Sequence, residues 1–428
     1  MIGLEAGLAA LTLILLIILE FPIAYAFATA TIVLAVMAGR DLALILPTAF
    51  WQTGGFALLA LPLFIIAGIV MRDSRISDYL VASVERVLGG IKGSLGAVTV
   101  GSCMLFGAIS GSGAAAIAAI GAVMVPKMTA AGYDRGYATA LVACSSVLAL
   151  LIPPSIPMIV FALTAGLPVS ACFLSTVGPG IVIGIIYMAM NRRTTMRLGI
   201  DQVRPTSVDG SRGESLRALP ALFMPVLMLG GIYSGAFTPT EAAAVALVYG
   251  VLVGLLVYRS LGLGDVARCF VEGGAVCASV IAILLFLLVF GKLLALEQIP
   301  GHIANGLLSL FDNYYAVLLI INIVLLIIGM FLDDISGSIL AAVILLPVAK
   351  QVGVDPIHFA AIVGTNLGLG NVTPPCAPLL FVAGSVTGLD LHAFLRPALR
   401  FMLLGHLPVV LLVTYVPALG TLLPDLLL

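Results

Sequence analysis

Long apolar runs fill most of this chain, parted by short polar or proline-bearing breaks, and their lengths predict membrane-spanning helices. Residues 2–38 are long enough for two helices, with Glu20, Phe21 and Pro22 as the break. Residues 2–19 read as a retained helix, because no basic stretch precedes them and no cleavage site follows. Residues 42–52 form a shorter interfacial segment holding the single tryptophan, Trp51, a residue that favours the headgroup level. Residues 56–71 span. Residues 72–92 mix charges of both signs with Ile76, Tyr79, Leu80, Val84, Val87 and Leu88 at helical spacing, the pattern of an amphipathic interfacial helix. Residues 95–106 enter the membrane and run into small residues. The stretch from Ser110 to Pro126 is short for a crossing and return, which predicts a re-entrant hairpin near 107–127 with its tip at Ser110 to Gly113. A proline-broken helix over 135–166 and a span over 171–190 follow.

Residues 191–218 are the one long polar stretch. Six arginines (192, 193, 197, 204, 212, 217) stand there against Asp201, Asp209 and Glu214, which places this loop in the cytoplasm. The loop divides the chain into halves, 1–190 and 219–428, and the second half repeats the plan. Spans are expected at 220–233 and 242–257, an interfacial piece at 263–272, and spans at 275–294 and 317–330. Then come a hairpin near 332–350, a broken helix over 356–387 and a final span near 401–417. If the halves are inverted, each crosses an odd number of times and both termini lie on the periplasmic side.

The strongest sign of repetition is local. Residues 126–157 align with 347–378 without a gap at an offset of 221, with 9 of 32 positions identical. Pro126/Pro347, Gly132/Gly353 and Asp134/Asp355 match, and so does the whole proline set, Pro153, Pro154 and Pro157 against Pro374, Pro375 and Pro378. Each copy is preceded by a small-residue segment, ISGSGAAA and DDISGSIL. Structural repeats in a membrane chain point to a transporter.

Composition agrees. The chain is 62% hydrophobic and 9% charged, where a soluble protein carries roughly 25% charged residues. No alternating short segments suggest a β-barrel, so the fold class is an all-α polytopic membrane protein, with the lipid bilayer as its solvent. Six cysteines (103, 144, 172, 269, 277, 376) show no paired spacing, and no disulfide or structural metal is inferred from them. A net charge of −1 gives no nucleic-acid signal. Four histidines without HxxxH, no GxSxG and no P-loop leave an enzyme reading with nothing to stand on.

The proline pairs have a chemical consequence. A proline lacks an N–H and clashes with the preceding turn, so the carbonyls at 149–152 and 370–373 are expected to lose helical partners. Such backbone is tolerated in a bilayer where it lines a polar cavity. Freed carbonyls with hydroxyl and amide oxygens are hard ligands for a small cation such as Na⁺, while half-helix N-termini suit an anion. The candidate cation residues are Ser110, Gly111, Ser112, Ser145 and Ser146 in the first half, and Asp333, Ser336, Asn366, Gly370, Asn371 and Thr373 in the second. Ser145 and Asn366 occupy one repeat position. The candidate substrate residues are Ser112, Pro154, Ser155, Pro375 and Cys376, with a carboxylate held between the two hairpins. The plainer reading of Gly, Ser and Ala here is close helix packing. Asp333 and Asp334 point about 100° apart on a helix, so they are no facing acid pair; one caps the helix and the other is left to sense an ion. Glu20 and Glu241 also lie 221 apart, and Glu241 reads as a first-turn helix residue. Lys127, Arg135 and Lys350 read as snorkelling ends, Arg396 and Arg400 as interfacial anchors.

The segments FGAISGSGAAAIAAIG, LIPPSIPMIVFALTAG, FTPTEAAAVALVYG, MFLDDISGSILAAVILLPVAKQVGVDPIHFAAIV and NLGLGNVTPP resemble the large membrane subunit, DctM, of tripartite ATP-independent periplasmic (TRAP) transporters. The resemblance covers nearly the whole chain. It implies a Na⁺-driven symporter of organic acids in a bacterial inner membrane, with two partners, a small membrane subunit and a periplasmic solute-binding protein. It also implies an elevator mechanism, in which hairpins and broken helices move as one body, and a small subunit that is separate rather than fused. The family's ion-binding regions map onto 110–113 with 145–154, and onto the hairpin from Asp333 with 366–375. One departure is visible: the family often follows TPP with Val-Gly, where this chain has Cys376, Ala377 and Pro378. A stand-alone dicarboxylate symporter of related architecture is the rival among transporters. Dicarboxylate, sialic acid, keto acid and sugar acid all remain open as substrates.

Overall fold

The computed structural model describes residues 2–19, 21–74, 76–89, 93–199, 212–310 and 313–428, and among them there are helices and no strand. Eight of the helices are long and apolar enough to cross a bilayer, which makes this a multi-pass α-helical membrane protein.

The first half opens with α1 (Ile2–Ile18) and α2 (Ile23–Met37), parted where Pro22 precedes the second helix; Glu20 lies outside the described residues. α3 (Leu42–Thr53) carries Trp51 exposed near its end. α4 (Ala60–Asp73) is followed by the amphipathic α5 (Ile76–Leu88), which buries Ile76, Leu80 and Val84 as its pattern requires but leaves Val87 outward. α6 (Ser94–Ser110) ends at Gly111, whose φ of +60° turns the chain. The chain returns through α7 (Gly113–Ala116), a π-helical turn at Ile117–Gly121 and α8 (Ala122–Ala130). Here the structure departs from the short hairpin near 107–127. The returning arm is one continuous run of 18 residues, Gly113–Ala130, about 27 Å at 1.5 Å per residue.

α9 (Arg135–Ser146), α10 (Leu148–Leu151) and α11 (Ile156–Ala165) form the first broken helix, and α12 (Val169–Leu198) follows. The polar stretch 191–218 is shorter as a loop than its composition suggests. Arg192, Arg193 and Arg197 lie within α12, which runs on because Asn191 Nδ2 donates to Gly93 O (2.9 Å) and Thr195 is buried beside it. Arg212 starts α13 (Arg212–Tyr233), and Arg204 lies outside the described residues.

In the second half, α14 (Pro239–Leu252) starts with a capping box: Thr238 N donates to Glu241 at 2.8 Å, so Glu241 has the helix-start role expected of it. α15 (Leu263–Leu296) is a single helix of 34 residues where the pattern suggests an interfacial piece and then a span. Nothing breaks it at Gly273, which packs against Ile66 of α4. α16 (Ile299–Leu310) and α17 (Tyr314–Phe331) follow. The hairpin near 332–350 is corrected in the same sense as the first: α18 (Asp334–Leu340), a π-helical turn at Ala341–Leu345 and α19 (Leu346–Val352) make one continuous arm. The other arm is α17 itself. Asp333 starts α18 by accepting from Ile335 N (3.2 Å) and Ser336 N (3.4 Å), which sets the reversal between Phe331 and Asp334.

α20 (Pro356–Gly370) and α21 (Pro378–Thr387) form the second broken helix. α22 (Leu391–Phe401) runs through a π-helical turn into α23 (Leu407–Tyr415), and α24 (Ala418–Leu427) closes the described chain. Matched residues do matched work. Asp134 and Asp355 cap α9 and α20; α11 and α21 both end at glycines with positive φ, Gly166 and Gly388, which stand 222 apart, one residue off the repeat register. Ser112 and Asp333, also 221 apart, cap α7 and α18. The peptides Pro153–Pro154 and Pro374–Pro375 are both cis. The first broken helix is the innermost of these spans, with 83% of its most apolar stretch buried, whereas α15 at 39% lies at the periphery.

Candidate ion and substrate site

Helices in lipid gain little from burying apolar surface against one another and hold together through close packing of small residues. The two breaks are built that way. Gly107 of α6 lies against Ala149, and Gly111 against the carbonyl of Pro154, so that a Cβ at either position would overlap its neighbour. Gly111 O also accepts from Ile156 N (3.5 Å), which ties the first reversal to the first break. In the second half Gly329 of α17 meets Gly370 backbone to backbone, and a Cβ on Gly370 would lie 2.5 Å from Gly329 Cα. The halves join at the centre, where Gly368 of α20 lies against Val147, and Gly113 packs on Leu379 of α21.

The candidate residues divide by what they already bond. Ser110 Oγ accepts from Ser112 N, and Ser112 Oγ from Ala115 N, both at 3.4 Å. Ser146 Oγ donates to Ala143 O (2.7 Å) and Thr373 Oγ1 to Leu369 O (2.6 Å). Asn366 Nδ2 donates to Asn322 Oδ1 and to Ile362 O (3.3 Å), and Thr414 Oγ1 donates to the same Asn322 oxygen (3.0 Å). By contrast Ser145 Oγ, Ser155 Oγ, Asp333 Oδ1, Ser336 Oγ and Asn371 Nδ2 are buried without a protein partner. Asp333 and Ser336 stand at the second reversal, Ser155 and Asn371 in the breaks, and Ser145 near the end of α9. Three carbonyls expected to be free are partnered: Leu151 O accepts from Thr176 Oγ1 (2.7 Å), Gly370 O from Thr373 N (2.8 Å) and Asn371 O from Leu379 N (3.1 Å).

A cavity of about 310 Å³ opens beside the first reversal. Ser110, Ser112 and Ile156 line it from the first half, Ile335 from the start of α18, and Arg72 and Glu272 from α4 and α15. Pro154 and Ser155 are buried next to Ile156, whereas Pro375 and Cys376 are exposed at the second break and do not line this cavity. The pattern of the sequence gives Arg72 and Glu272 only interfacial roles, and it misses Asn322 as Asn366's partner; a lone Asn within an apolar run was the available signal.

A multi-spanning helical bundle with two reversals packed on two broken helices is the architecture of a membrane transporter. The fold is shared with the Alcanivorax borkumensis YdaH transporter, with a TM-score of 0.65 and 15% identity over 87% of this chain and 88% of that one. Residues 10–419 match the family described as "Tripartite ATP-independent periplasmic transporter, DctM component", and the chain belongs to that family. It is 36% identical over 406 residues to the isethionate TRAP transporter permease protein DctMQ of Oleidesulfovibrio alaskensis, covering 94% of this chain and 64% of that protein's length. It is 36% identical over 370 residues to the C4-dicarboxylate TRAP transporter large permease protein DctM of Pseudomonas aeruginosa, covering 86% of each. It is 34% identical over 375 residues to the sialic acid TRAP transporter large permease protein SiaM of Vibrio cholerae, covering 87% of each.

Proposed function

We propose that this chain is the transporting subunit of a Na⁺-coupled TRAP symporter that imports a small organic anion across a bacterial inner membrane. A periplasmic solute-binding protein delivers the anion, and a small membrane subunit completes the membrane complex. The observation that carries the reading is the set of buried, unpartnered oxygens at Ser145, Ser155, Asp333 and Ser336. Native proteins rarely leave such groups unsatisfied, and hard oxygens around a broken helix are the usual Na⁺ ligands of secondary transporters. The names of the relatives span carboxylates and isethionate, a sulfonate, so the recognised feature common to them is a compact oxyanion.

The two halves, 1–190 and 219–428 around the 191–218 linker, act as inverted repeats that move by an elevator mechanism. Contacts between the broken helices support this. Arg135 at the start of α9 donates to Thr387 O at the end of α21, while Phe161 near the end of α11 lies 6.3 Å from Phe359 near the start of α20. Two units running in opposite directions make those contacts. The Arg-rich linker faces the cytoplasm; a cysteine in place of Ser207 is expected to react with impermeant reagent only from that side, and labelling from the periplasm would reverse the topology.

Uptake of labelled succinate, N-acetylneuraminate and isethionate into proteoliposomes tests the whole reading. Uptake that requires both Na⁺ and the binding protein supports it; uptake with Na⁺ alone identifies a stand-alone symporter instead. Within the site, Ser145→Ala removes one unpartnered oxygen and is expected to raise the half-saturating Na⁺ concentration with normal membrane yield. Asn366→Ala raises it too, and lowers yield, because Asn322 loses a buried partner at about 1–3 kcal/mol. Unchanged Na⁺ dependence in both variants removes these two residues from the cation sites.

A further inference from the structure

We infer that Arg72 is a specificity-determining residue that binds the anionic group of the substrate, in competition with Glu272. The inference rests on the anion-uptake reading above and assigns that anion a partner in the cavity. Arg72 sits at the end of α4 and lines the cavity with Ser110 and Ser112 of the first reversal. Its Nη1 and Nη2 donate to the two oxygens of Glu272 at 2.9 and 3.0 Å, and its Nε donates to Asp73 Oδ1 at 2.8 Å. This parallel, two-bond fork is the geometry in which arginine recognises planar oxyanions. A guanidinium has five N–H donors, so two remain beyond these three bonds, and the carboxylate in the fork belongs to a side chain able to swing away. Glu272 is 42% exposed on α15, on the same cavity.

The charges around the fork set the sign of the expected effects. Arg268 Nη2 lies 3.8 Å from Asp73 and 2.9 Å from Asp265. Two arginines (Arg72, Arg268) thus face three carboxylates (Asp73, Asp265, Glu272), a local charge of 2 − 3 = −1. Neutralising Glu272 brings that charge to zero and frees the bidentate edge of Arg72. An arginine held so between α4 and α15 is available to an anion seated against Ser112 and the N-terminal end of the Gly113–Ala130 helix.

The competing role is a brace, an ion pair that only holds α4 to α15. The two roles predict different signs. Binding of succinate, N-acetylneuraminate and isethionate to the purified transporter in Na⁺ buffer is measured by calorimetry. The anion that binds the unaltered protein is expected to bind Glu272→Gln about tenfold tighter and Arg72→Gln about tenfold weaker, the difference one charge-assisted hydrogen-bonded contact makes. Arg72→Lys falls between, since an ammonium keeps the charge and loses the fork. Na⁺ affinity stays constant across the three. Equal weakening in Glu272→Gln and Arg72→Gln identifies a brace and overturns the inference. If one anion binds the unaltered protein and neither variant moves its affinity, the Arg72 assignment falls and the uptake reading stands. If none of the three binds, both fall.

Discussion

Gly111→Ala is expected to reduce uptake at least about tenfold, whereas Gly166→Ala retains most of it. Both glycines have positive φ, +60° and +68°, so each alanine suffers the same left-handed strain of about 1–2 kcal/mol. Their surroundings differ. A Cβ on Gly166 meets nothing within 4 Å, while a Cβ on Gly111 drives into the carbonyl of Pro154 and crowds Ile156 N. Those are backbone atoms of the first break, which cannot swing aside as a flexible side chain does. The added methyl therefore pushes the reversal away from the break and separates Ser110 and Ser112 from Ser155. The pair of variants isolates that separation from the shared strain. Uptake rate per unit of transporter in the membrane is the measurement, and equal losses in the two variants would show that tip and break need not touch.

Much of this arrangement was legible because proline and glycine act locally. The matched pairs Pro153–Pro154 and Pro374–Pro375 stop helices wherever they stand, and both breaks lie where they predict, over 152–155 and 371–377. A cap from Asp333 or Asp334 was legible for the same reason, and the structure gives it to Asp333; Asp134 and Asp355 were legible as a matched pair, and their capping of α9 and α20 came from the structure. What the pattern could not give is set by contacts far apart in the chain. The length of each reversal's arms depends on a single residue at the turn, Gly111 or Asp333, rather than on the apolar runs either side. The helical course of Asn191 to Leu198 depends on Gly93, 98 residues away from Asn191. The carbonyl of Leu151 is satisfied by Thr176, 25 residues on, and Arg72 meets Glu272 across 200. Proline spacing announces that carbonyls are released; it does not say which of them the rest of the protein takes back.

Asp333→Asn is expected to raise the half-saturating Na⁺ concentration at least about tenfold with normal membrane yield, since a hydrogen-bonded charge is worth about 1.5–3 kcal/mol to its partner. Asparagine caps a helix as well as aspartate does, so the bonds to Ile335 N and Ser336 N survive the change. The charge alone is removed. That charge is costly where it stands: one carboxylate oxygen caps α18, the other is buried without a partner, and among the described residues no Lys, Arg or His pairs with it. Charged groups at such positions are held for ions or substrates rather than for stability. Asp333→Ala loses the cap as well, about 1 kcal/mol, and is expected to lower yield in addition. The matched cap in the first half sharpens the test. Ser112 holds the position 221 residues earlier with a neutral hydroxyl, so a cation there depends on uncharged oxygens, and Ser112→Ala is expected to shift Na⁺ dependence less than Asp333→Asn does. A reversed order would mean that the charge of Asp333 serves something other than the coupling ion. Unchanged Na⁺ dependence in Asp333→Asn would reduce this residue to a helix cap.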